Sequence, residues 1–108
     1  SSFISLAQQK AISQENSSNW GIRINNVDSN SPNIEMFYDS YSPSTIVDKY
    51  NLANMLYFQQ PSSGNYLDII FSKITGTPNV STEIIINLKG STISKHLIIN
   101  SQGGISWE

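Results

Sequence analysis

The sequence predicts an α+β fold in which one amphipathic N-terminal helix packs on antiparallel β-sheets, and three observations lead there. Hydrophobic residues recur at helical spacing only near the start of the chain. After a polar break their period changes to two. From that point short β-rich runs alternate with turn clusters to the end. A length of 108 residues and a hydrophobic share of 38% suit a single domain over 1–108 with a modest core.

Residues 2–15 are good helix formers without Pro or Gly. Phe3, Ile4, Ala7 and Ala11 fall on one face with Leu6 at its flank, while Ser5, Gln9 and Ser13 mark the other side. The two alanines predict the close approach of a sheet, and Ile12 is left facing outward. Asn16, Ser17, Ser18 and Asn19 then end the pattern, because short polar side chains compete with the helix for backbone hydrogen bonds.

Trp20, Ile22 and Ile24 alternate with Gly21, Arg23 and Asn25, which predicts a half-buried strand with the Trp and Ile side toward the core. A polar turn over 25–32 leads to Ile34, Met36 and Tyr38 alternating with Glu35, Phe37 and Asp39, so the first two strands are expected to pair antiparallel. Residues 40–54 read either as a loop or as holding a short strand around 45–49. Runs over 55–59 and 66–72 alternate with turn clusters over 61–65 and 76–81. Residues 82–88 and 92–100 flank Lys89, Gly90 and Ser91, a hairpin signal, and 101–104 turn the chain into a last short strand over 105–107. The end is thus expected to be a three-stranded meander. Ile84, Ile86 and Leu88 should face the core while Ile85 and Ile98 point the other way, so a second layer or a partner is expected over them.

Charged residues make up 13% of the chain and the net charge is −2, too acidic for a protein built mainly to follow phosphate backbones. There is no cysteine for a disulfide or a thiolate metal site, and no stretch approaches the roughly 18 apolar residues of a membrane span. The single histidine, His96, stands mid-strand between Lys95 and Leu97 and reads as an edge or surface position. Glu35 with Asp39, or Asp48 with Asp68, are the carboxylate pairs open to glycoside hydrolysis, and their spacing singles out neither. Residues 28–33 lack the sixth-position glycine of a calcium loop and read as a solvated turn. Gly90, Gly103 and Gly104 sit between strands, as turn glycines. The aromatics Phe37, Tyr38, Tyr41, Tyr50, Tyr57, Phe58 and Tyr66, with Lys49, Lys73, Lys89 and Lys95, offer a platform for bases or sugars, but alternation with polar neighbours favours packing. These residues point to no catalytic group, cofactor site or metal site, and to work done by assembling with other proteins.

The order of signals carries a resemblance. Ala7-Gln8-Gln9-Lys10-Ala11 lies at the heart of the helix, and a polar break leads into the Trp20-Gly21-Ile22 strand start. The run from Tyr50 through Leu52 to Phe58 follows, and the chain closes on His96 to Trp107 with a Gly turn between two strands. Over nearly the whole chain this resembles the type IV pilin-like proteins, and most the GspH/FimT group of minor pseudopilins and minor pilins. The resemblance implies a pilin-like fold in which 1–16 are the remainder of a longer N-terminal helix and 19–108 the β-rich headgroup. A basic leader, a processing site, an acidic residue and a long apolar helix are then expected upstream of Ser1. The implied function is a structural subunit of a bacterial type IV pilus or type II secretion pseudopilus, polymerising through its helix. Its partners would be other pilin or pseudopilin subunits and the assembly machinery. It would be anchored in the inner membrane by the upstream helix before joining a periplasmic or extracellular filament. Phe3, Ile4, Ala7, Ala11 and Ile12 become the packing and assembly surface, with Trp20, Ile22 and Ile24 as the core strand. The alternatives are a minor pilin that binds DNA or a surface ligand, although Ser106, Trp107 and Glu108 are not a basic tail, and an unrelated secreted carbohydrate-binding sandwich.

Overall fold

The computed structural model describes residues 2–108. The helical sequence forms α1 (Ser2–Ile12). Ile4, Ala7 and Ala11 are buried and Phe3 is half-buried, whereas Ile12 and Leu6 remain exposed. The helix lies on β1, β2 and β5, defined below, and its alanines leave room for that approach.

The helix ends at Ile12, short of the expected Glu15, and the reason is local. Ser13 Oγ donates back to the carbonyls of Gln9 and Lys10, Gln14 turns left-handed, and a single 3-10 turn (Glu15–Ser17) reverses the chain. Polar side chains that satisfy backbone groups locally end helices in this way. The turn is stapled to the next strand: the Trp20 indole N–H donates to the Glu15 carbonyl at 2.8 Å, and Lys10 bonds Glu15 at 3.2 Å while lying over the Trp20 ring.

Eight strands follow in two antiparallel sheets, so the chain is mixed α+β and mostly β. The first sheet holds β1 (Trp20–Asn26), β2 (Asn33–Tyr38), β3 (Ile46–Asn51) and β5 (Asn65–Phe71), in the order β3-β2-β1-β5. The second holds β4 (Leu56–Gln60), β6 (Thr82–Leu88), β7 (Ser94–Ile99) and β8 (Ile105–Trp107), in the order β4-β6-β7-β8. The expected pairing of the first two strands is present, with Ile22 opposite Met36 and Ile24 opposite Ile34. The ambiguous segment 40–54 contains a strand, β3, at the sheet edge. The expected terminal meander is present but gains a fourth strand, since β4 pairs with β6.

The core follows from register. Ile22, Ile24, Met36 and Ile69 face inward from the first sheet and Phe58, Ile84, Leu97 and Ile99 from the second, and all join α1 in one cluster. The overall extents are 43 × 29 × 19 Å, and the short dimension holds two layers at the usual sheet spacing of about 10 Å. Between β4 and β5 the chain leaves one sheet for the other through Pro61. Asn26 pins that crossing: its buried amide donates to the carbonyls of Phe58 (3.3 Å) and Pro61 (2.8 Å).

The outer faces differ from expectation in two places. Phe37, grouped by alternation with polar residues, is fully buried on the outer face of the first sheet. Its ring lies over Gly21, where an added Cβ would fall 2.7 Å from the ring, and meets Tyr41 edge-on. Ile85 does point away from the core, as alternation predicts, yet is only 9% exposed, in a row with Gln60 and His96 and under no second layer.

Candidate functional site

The surface singled out by the sequence is the helix, and polar contacts at its middle and its C-terminal end set its geometry. Gln8, halfway along α1, donates through Nε2 to the carbonyls of Gly76 (3.0 Å) and Gly103 (2.7 Å), tying the helix to the loop after β5 and to the β7–β8 turn. At the helix end the Ala11 carbonyl accepts the Ile74 amide at 3.0 Å. Phe3, Ile4, Ala7 and Ala11 therefore serve the inside of this domain, and Trp20, Ile22 and Ile24 lie in the wall they pack on. Leu6 and Ile12 project on opposite flanks of the helix, about 120° to either side of the buried stripe by helical geometry.

Beside the first turn of α1, lined by residues of both sheets, lies an apolar cavity of about 270 Å³. Phe3, Ile4 and Tyr50 form one wall, Leu56, Ile86 and Trp107 the other. Phe3 and Tyr50 pack ring to ring at 6.1 Å on its rim.

The chemistry-bearing residues sort clearly. His96 Nδ1 bonds Glu83 Oε2 at 2.7 Å, and its Nε2 lies 3.4 Å from Ser94 Oγ. This is the connectivity of an acid, an imidazole and a hydroxyl. However, the His96 and Glu83 side chains are each more than a third exposed, at 37% and 38%, on an open sheet face, so their bond ties β6 to β7 in water-accessible surroundings. The carboxylate pairs do not form. Asp48 aligns with the inward Met36 on edge strand β3, while Asp68 aligns with Arg23 on the outer face, at the far edge of the sheet. Asp39 has left the strand at positive φ, its amide bonded to Asn19, and does not join Glu35.

What forms instead is a charge ladder across the outer face of the first sheet: Lys49, Glu35, Arg23 and Asp68 stand in register on four neighbouring strands. Arg23 binds Asp68 through Nε (2.7 Å) and Nη2 (2.8 Å), and its guanidinium is held 3.4 Å from the Tyr41 ring and 3.9 Å from the Tyr66 ring. The bidentate bond to Asp68 raises the Arg23 pKa. Tyr41 donates to Glu35 at 2.8 Å, and burial, followed by the Glu35 carboxylate, pushes its phenol above the ordinary 10.0. The aromatics thus divide among three groups: Phe3 with Tyr50, Trp20 with Tyr38, and, on the outer face of the first sheet, Phe37, Tyr41 and Tyr66 linked through Arg23.

Three residues of consequence escaped the periodic reading. Gln8 belongs to neither named face of the expected helix, Asn26 falls in an expected turn, and Ile74 lies outside every expected element. Among the described residues no group of His, Asp or Glu could hold a metal ion, and no helix is long and apolar enough to cross a membrane. No protein-family model matches this chain, and no curated protein or solved structure matches it either.

Proposed function

We propose that this chain is a structural subunit of a bacterial type IV pilus or type II secretion pseudopilus, of the pilin-like GspH/FimT kind, polymerising through its N-terminal helix with the β domain displayed outward. The observation that carries the reading is the two-sided apolar character of α1. One stripe, Ile4, Ala7 and Ala11, is buried against the headgroup, while Leu6 and Ile12 remain exposed on both flanks, where neighbouring rods in a filament would pack. In this reading the helix continues upstream as an apolar rod, anchors the subunit in the inner membrane before assembly, and meets other pilin or pseudopilin subunits and their assembly machinery.

The test is made in the producing cell. Leu6→Asp, placed on an exposed flank, should leave the melting temperature of the domain within a few degrees and reduce surface filaments or pseudopilus-dependent secretion at least tenfold. Unchanged filaments, or an upstream reading frame without an apolar segment of about 20 residues, would refute the proposal.

A further inference from the structure

The cavity beside the first turn of α1 runs from water into the core. At its rim Tyr50 is 54% exposed and Trp107 42%. Its inner wall is dry, since Ile4, Ile84 and Leu97 are at most 2% exposed and belong to the central cluster. Only apolar and aromatic side chains line it, so a guest inside meets no charge and no amide. Apolar voids of this kind take up apolar guests in preference to water.

Size and surroundings narrow the guest. A volume of about 270 Å³ lies just under the roughly 300–1,000 Å³ of sites for drug-sized ligands, and it is far too small for a partner helix about 10 Å across. Since a cavity of about 150 Å³ holds one six-carbon benzene, about 270 Å³ holds a straight chain of about ten carbons. One cation stands at the mouth. Lys95 pairs directly with the lining residue Ile86 on the same face of the second sheet, and it is exposed and in no ion pair among the described residues. On the facing sheet Asp48 is set back: it pairs with Met36, which does not line the cavity, and its Oδ1 accepts the Lys49 amide.

We infer that the cavity binds one straight-chain fatty carboxylate of about ten carbons, its tail against Ile4, Ile84 and Leu97 and its carboxylate at the Lys95 ammonium, past the rim of Tyr50 and Trp107. The tail carries most of the affinity, because each buried methylene tightens binding about fourfold, and the exposed Lys95 adds the preference for an anionic head. The site goes beyond the proposed subunit role and rests on no part of it, since uptake of this ligand is a property of the domain whether or not it enters a filament.

Titration of the chain with carboxylates from hexanoate to tetradecanoate, below micelle formation, tests it by calorimetry and by tryptophan emission, in which Trp107 at the rim responds and buried Trp20 does not. Decanoate should bind one to one, with affinity rising about fourfold per methylene up to about ten carbons and levelling off beyond. Lys95→Glu should weaken decanoate about fivefold and leave decanol within about twofold. Ile86→Trp, which fills the cavity, should weaken both at least tenfold. If that variant loses its cooperative melt, Lys95→Glu and the break in the chain-length series decide alone. Neither heat nor an emission change with decanoate overturns the inference. So does affinity that keeps climbing past dodecanoate, the mark of detergent-like adsorption, or binding that survives Ile86→Trp in a folded chain. Decanoate binding indifferent to Lys95→Glu overturns the carboxylate assignment and with it the ligand class. Cosedimentation with phosphatidylglycerol vesicles by a chain that takes up no free decanoate overturns it in favour of adsorption to a bilayer.

Discussion

Asn26 ends β1 with its side chain sealed from water and its amide spent on two carbonyls, that of Phe58 on β4 and that of Pro61 in the crossing that follows. Leaving two buried carbonyls unpaired costs about 1–3 kcal/mol, so Asn26→Ala should lower the urea midpoint accordingly, while Asn30→Ala in the exposed turn should stay within about 0.5 kcal/mol. Equal effects would mean that the crossing is held by something other than this amide. In the sequence Asn26 is one polar residue in a polar stretch, because its partners lie 32 and 35 positions away and no local period reports them. Tyr41 supplies a pH signature. Its phenol is raised in the folded state, so the neutral form is preferred there, and the unfolded chain ionises first, near 10. That contribution is fully present below pH 10 and is lost as pH rises through the folded value. Denaturation midpoints should therefore fall more steeply above pH 10 for the parent chain than for Tyr41→Phe, and parallel curves would contradict the assignment.

As an element, α1 has 11 residues, below the ~12–15 at which isolated helices become even marginal, so packing holds it. Ala11 is fully buried against the first sheet, and Ala11→Leu should cost about 1–3 kcal/mol by overpacking, whereas Gln9→Leu on the exposed side should be near neutral in a thermal melt. A stabilised Ala11→Leu would mean that the helix has slack beneath it. The helix, β1 and the β6–β7 hairpin were legible because each sets apolar residues toward the core and polar or small ones on the other side, which writes a period into the residues even where, as on β1, the outer face is itself covered. Edge strand β3, half-buried at its first residue and exposed at the rest, carries no such period, and the segment around it read equally well as loop. The end of α1 was misplaced for a related reason: Ser13 and Gln14 are tolerated in helices, and only their actual backbone bonds show that the chain has already turned.

At the scale of the whole molecule, α1 and the second sheet share the inner face of the first sheet, so neither can be removed without exposing the other's support. Residues 19–108 alone should bind a hydrophobic dye and lose near-UV circular dichroism while keeping far-UV β signal. A cooperative melt with native near-UV signal in that fragment would show that the helix is dispensable to the headgroup. The sequence by itself determined one N-terminal helix, its buried stripe, the antiparallel β character of the remainder and the absence of a strongly basic surface, because each is written in local spacing or in composition. Only the tertiary structure decided which strands share a sheet, that β4 extends the terminal meander, that Gln8 ties the helix to two loops and that Asn26 points inward. It also decided that Asp48 and Asp68 stand on opposite faces, that the Ile74 amide caps the carbonyl of Ala11 at one end of the helix, and that an apolar cavity lies at the other. Those facts depend on contacts between residues far apart in the chain, whose energies are settled by register and by the sheet crossing, and short-range periodicity carries no record of either.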